Sequence, residues 1–197
     1  MPTIYKMTTK TMTTHNDTEW AIGEWMETSG AGELCSEGWL HAYTDPLLAV
    51  FLNSIHANIQ NPRLFRGLGD GLFKDDSGLK VGYNRMVILE EMVLPSVTLI
   101  NRVSFGILCA KSVTADKKWN QWADNWLSGK NRTKAAMDTA WAAWAAAEEY
   151  AAMDAAEYAA AEDSASSARY AAEAAKYAVR SSIIDLIAIA NTAMTYK

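Results

Sequence analysis

The stretch TKAAMDTAWAAWAAAEEYAAMDAAEYAAAEDSASSARYAAEAAKYAVR, residues 133–180, contains neither Gly nor Pro, and roughly half of it is Ala. Ala has the highest intrinsic helix propensity, and no residue here breaks a helix. The stretch therefore predicts long helices behind a front domain of different composition. Its charges are segregated. Asp138, Glu148, Glu149, Asp154, Glu157, Glu162 and Asp163 precede Arg169, Lys176 and Arg180, which face Glu173 alone. The change of sign falls at Asp163-Ser164-Ala165-Ser166-Ser167, the weakest helix-forming spot of the tract. A single rod would be about 70 Å long. An antiparallel hairpin folded near Ser164 would instead set Met137, Trp141 and Trp144 beside Ile183, Ile184, Leu186, Ile187 and Ile189. The hairpin is the expected layout, because it buries aromatic against aliphatic groups and lays the acidic arm along the basic one. Exposed ion pairs alone would decide little, at about 0–1 kcal/mol each. Tyr-Ala-Ala recurs at Tyr150, Tyr158 and Tyr170 without heptad spacing, which argues against a regular coiled coil.

Upstream, KKWNQWADNWLSG places Trp119, Trp122 and Trp126 on one helical face and ends in a Gly stop. SVTLINRVSFGILCAKSV carries Leu99, Val103, Ile107 and Ala110 at helical spacing, with Ser96 as a candidate cap. Thr44-Asp45-Pro46 starts a further helix running toward Asn61-Pro62. The remaining front residues read as strands: an edge strand around Ile4-Tyr5 or a loose segment there, a strand in WAIGEWME, short strands in ELCSEGWLHAY, a strand in RLFRG, and one long or two short strands in LKVGYNRMVILEEMVLP. GLGDGLFKDDSG reads as a flexible Gly/Asp-rich loop. The expected fold is α+β: a small, mostly antiparallel sheet with two or three helices, then a long Ala-rich helical hairpin. The expected divisions are a Thr-rich segment 1–17, a domain 18–115 and a helical tail 116–197.

The net charge of −5 argues against a general nucleic-acid binder. No apolar run is long enough to span a bilayer, and the N-terminus does not resemble a signal peptide. A cytoplasmic location with Cys35 and Cys109 reduced is expected. Those cysteines and His41 and His56 lack the paired spacing of a metal site, so no metal is expected. No nucleophile motif or phosphate loop is present, so neither a catalytic residue nor a cofactor is assigned. The candidate ligand-binding residues are His41, Tyr43, Arg63, Arg66 and Arg85. His41 lies beside a Gly bend and a helix N-terminus, where an anion is favoured. Arginine makes bidentate contacts to phosphate or carboxylate. A solvated mixed-charge face is the competing reading, because Asp70, Asp75, Asp76, Glu90 and Glu91 are interspersed among the arginines.

The segments GELCSEGWLHAYTDPLLAVFLNSIHANIQNPRLF, GLKVGYNRMVILEEMVLP and RVSFGILCA, with the Ala/Trp-rich tail ending IDLIAIANTAM, resemble an uncharacterised family of bacteriophage-encoded proteins. The resemblance covers most of the chain. It implies phage origin and a non-catalytic accessory role in the host cytoplasm: binding a host protein or a small nucleotide-type anion, and counteracting host defence. GWLHAYTDPLLAVF also resembles ADP-ribosyltransferase-like folds. That likeness implies an enzyme using a nicotinamide dinucleotide, with His41, Tyr43 and Glu90 or Glu91 in its site. A third reading is a virion or assembly component. Self-association through the tail is expected, because Ala-rich helices bury little area alone.

Overall fold

Alternating side chains in TIYKMT make β1 (Thr3–Thr8), which inserts Ile4 into the core of the front unit. The chain then forms β2 (Thr13–Thr14), β3 (Thr18–Glu19), β4 (Trp25–Glu27) and β5 (Leu40–Ala42). Helix α1 (Pro46–Leu52) is followed by the long hairpin of β6 (Arg63–Asp75) and β7 (Val81–Met92). These elements belong to a computed structural model that describes residues 1–133 and 164–197. The described chain divides into two units, Met1–Ser96 and Val97–Lys197.

In the first unit β1 pairs with β6, β6 with β7, and β7 with both β4 and β5, all antiparallel. One further bridge closes the sheet on itself. Tyr5 and Tyr43 exchange two backbone hydrogen bonds of 2.9 Å, joining β1 to the end of β5. A circuit through β5, β1 and β6 returns to β7 about ten residues from where it left, so the strands form a small, strongly staggered barrel. Every strand of the ring contributes to one core: Ile4, Leu40, Ala42, Phe65, Val81, Tyr83, Met86 and Ile88, closed by Trp20. Burying a large apolar side chain contributes about 1.5–3 kcal/mol. Helix α1 covers β1 from outside with Leu48, Ala49, Phe51 and Leu52 buried. Asp45 caps it through Leu47 N at 2.8 Å, with Pro46 in the first turn, as the sequence predicts. The helix is shorter than expected and passes at Asn53 into one 3₁₀ turn.

The Gly/Asp-rich segment expected to be a loop instead continues the RLFRG strand as β6 up to Asp75, and only its last three residues form a turn. A Cβ on Gly67 would sit 2.0 Å from the Val87 carbonyl oxygen, and one on Gly69 would sit 2.4 Å from the Tyr83 ring. These glycines permit close approach rather than a turn. Of the glycines within β6, Gly71 alone has a positive φ, +77°, where the strand bulges opposite Asn84.

In the second unit α2 (Leu99–Lys111) begins at a reciprocal Thr98/Asn101 capping box, not at Ser96. It is followed by α3 (Lys117–Leu127), α4 (Ser164–Ser181) and α5 (Leu186–Ala193). α2 packs on α4 through Gly106, whose missing Cβ would lie 3.1 Å from Ala171 Cα. Ala171, Ala174, Ala175 and Ala178 are fully buried. The Asn101 amide donates to the carbonyls of Ala193 and Tyr196, both at 3.0 Å, tying α2 to the end of α5. α2 therefore groups with the tail helices, and the division falls after Ser96 rather than at the expected 115/116. The residues of segment 1–17 that form β1 belong to the barrel. The first arm of the expected hairpin, and the rod that competes with it, lie outside the described residues. The Ile-rich end does not continue α4, since α5 starts afresh from the Asp185 cap.

Candidate functional site

Gly30 N donates to Gly38 O at 2.9 Å and closes the loop of residues 29–39 over the barrel. Trp39 Nε1 and Lys74 Nζ both donate to Gly32 O, at 3.1 and 2.8 Å. Lys74 also lies 5.2 Å from the centre of the Trp39 ring. The loop is thus fastened to the β6–β7 hairpin. His41 leaves β5 beneath it, and its Nε2 is hydrogen-bonded to the Leu34 carbonyl. Burial holds the imidazole below its ordinary pKa, and nearby Lys6 and Lys80 add to this; the Leu34 bond and Asp76 act in the opposite direction. A neutral ring with Nε2–H committed to a carbonyl has no positive charge to offer an anion.

Tyr43 is buried, and its hydroxyl meets His56 Nδ1 at 3.2 Å. Burial pushes the phenol up. The three candidate arginines are each matched by carboxylates on neighbouring strands. Arg63 makes a bidentate pair with Glu91 at 2.9 and 2.7 Å, and Arg66 meets Glu90 at 2.8 Å. Arg85 bridges Glu27 at 2.9 Å and Asp70 at 3.2 Å and stacks over Trp25. The mixed-charge face is therefore a set of cross-strand pairs.

The expected site residues do not converge. Arg63 lies over the Phe65 ring, whereas Arg66 projects from the opposite face of β6. Tyr43 and Arg66 fall in one cross-strand row, Glu90–Arg66–Tyr5–Tyr43. Three strand spacings put Tyr43 about 14 Å from Glu90 along the sheet. Side chains on the outside of a barrel diverge, so this row does not assemble the dinucleotide site implied by the transferase likeness. Among the described residues no three His, Cys, Asp or Glu side chains form a group able to hold a metal.

The sequence reading missed Lys6. It occupies the same strand phase as Ile4 and pairs with Phe65, so its side chain enters the barrel. Its ammonium donates to the His41 carbonyl at 2.6 Å and lies 4.7 Å from the centre of the Trp20 ring. It is 8% exposed, and among the described residues no carboxylate pairs with it. Burial pushes its pKa down to about 7. The signal available in the sequence was a Lys two residues after Ile4 in a strand pattern.

A different surface stands open. Beyond the bulge, β6 pairs with β7 on one side, and among the described residues no strand lies on its other side. Leu72 and Phe73, on this stretch, are 55% and 53% exposed. Comparison with protein-family models, with characterised proteins and with solved structures finds no match.

Proposed function

We propose that this chain is a non-catalytic phage accessory protein that binds a host protein, adding an extended segment of that partner to the free edge of β6. The observation that carries this reading is the outer edge of β6 at residues 72–75, which faces no strand among the described residues while the opposite edge pairs with β7, together with the exposed side chains of Leu72 and Phe73. Strand addition draws affinity from backbone hydrogen bonds and specificity from such side chains. Phage origin, action against host defence and a place in the host cytoplasm rest on the resemblance of the front segments. No helix among the described residues is long and apolar enough to cross a membrane. A nucleotide-type ligand at the arginines is the weaker reading, because each guanidinium already has a carboxylate partner. Self-association through the tail remains part of the proposal: Ile183, between α4 and α5, is fully exposed.

The test is crosslinked capture from host bacteria with the tagged full chain and its Leu72→Lys and Phe73→Thr variants. Proteins captured by the parent and lost from both folded variants support edge binding. Capture unchanged by either substitution overturns it. A thermal shift with a nucleotide panel would favour the small-ligand reading instead. Light scattering tests the tail, and a strict monomer removes self-association.

A further inference from the structure

Cys35 and Lys80 come from segments far apart in sequence, yet Lys80 Nζ donates to Cys35 Sγ at 3.1 Å. Neither partner reaches the other by chance swing of a loose segment. The loop bearing Cys35 is closed by Gly30 and Gly38 and fastened through Gly32 to Trp39 and Lys74. Lys80 sits at the end of a turn fixed by Asp76 N to Lys80 O at 3.0 Å and Leu79 N to Asp76 O at 2.9 Å. Cys35 is exposed to solvent-borne reagents. The second amine of the hairpin, Lys74, is directed to the Gly32 carbonyl instead.

We propose that Cys35 and Lys80 form a peroxide-responsive covalent crosslink that locks the loop of residues 29–39 onto the β6–β7 turn. In the first step the Cys35 sulfur attacks one oxygen of a peroxide. The O–O bond breaks, an S–O bond forms, and one water leaves when hydrogen peroxide is the oxidant. Sulfur loses two electrons and the peroxide gains them. In the second step the Lys80 amine, having given a proton to solvent, attacks the sulfenic sulfur. An S–N bond forms, the S–O bond breaks, and the nitrogen proton and the hydroxyl leave as a second water. One peroxide is consumed for each sulfenamide. A free thiol in excess reverses the reaction by cleaving S–N and returning the amine. Cys109 is the internal control: it is fully buried among apolar groups, and burial pushes its thiol up.

The experiment treats the full chain with hydrogen peroxide and maps tryptic peptides by mass spectrometry. The expected product joins the Cys35 and Lys80 peptides, is about 2 Da lighter than their reduced sum, and disappears with dithiothreitol. In Lys80→Gln the joined species is lost and Cys35 proceeds to sulfinic acid, while Cys109 is unmodified in both proteins. Sulfinic Cys35 without a joined species in the parent overturns the proposal. So does a bond to Lys74, or a joined species that persists in Lys80→Gln. The same treated sample melts at a higher temperature than the untreated one if the link constrains the loop; an unchanged melting temperature overturns the locking role.

Discussion

Replacing Lys6 with Met removes a buried amine and keeps most of the side-chain volume. Its pKa falls from 10.5 in the unfolded chain to about 7 in the barrel. A base with a depressed folded pKa destabilises the fold most fully below that value, where the amine is charged in both states and the folded one holds that charge buried. The cost fades as pH rises through the window from about 7 to 10.5. The full shift corresponds to at most about 5 kcal/mol. Two contacts favour the ammonium and reduce this ceiling: the Trp20 face and the His41 carbonyl. Between about pH 6 and about pH 9, the parent gains up to roughly 2–3 kcal/mol relative to Lys6→Met. Urea unfolding of both proteins, followed by Trp fluorescence across that range, measures the difference. Taking it against the variant cancels other titrating groups. At pH 6 Lys6→Met is as stable as the parent or more so, and the two curves converge as pH rises. Parallel stability profiles would refute the argument that Lys6 enters the barrel as a desolvated amine.

Further outcomes follow from the helices and the strand pairs. Gly106→Val forces a side chain against Ala171 and lowers stability by about 1–3 kcal/mol, read by thermal unfolding. Asn101→Ala breaks the capping box and both bonds to the end of α5, costing about 2–3 kcal/mol; hydrogen exchange shows faster opening of α5. Asp45→Ala removes the α1 cap at a cost of about 1 kcal/mol, seen as a lower melting temperature. Arg66→Met breaks an exposed pair and changes stability by less than about 1 kcal/mol in a urea titration.

The features legible in the sequence were the local ones. The Asp45-Pro46 start, the Trp face of α3 and the helix ending at Arg180 and Ser181 are set by propensity, capping and spacing within a few residues. Strand β6 was legible only in RLFRG; its continuation was not, because Gly67 and Gly69 look like loop residues until Val87 and Tyr83 are brought against them. The site failed for the same reason. Arg63, Arg66 and Arg85 read as free cations in sequence, and only strand register supplies Glu91, Glu90, Glu27 and Asp70 as their partners. Closure of the barrel rests on one bridge between residues on opposite sides of several elements, which no local pattern encodes.

That bridge is the point on which the architecture turns, and solution NMR of the intact chain tests it directly. A closed ring predicts a strong amide-to-amide contact between Tyr5 and Tyr43, with both amides slow to exchange. An absent contact with rapid exchange at both positions would mean an open sheet and would contradict the buried placement of Lys6.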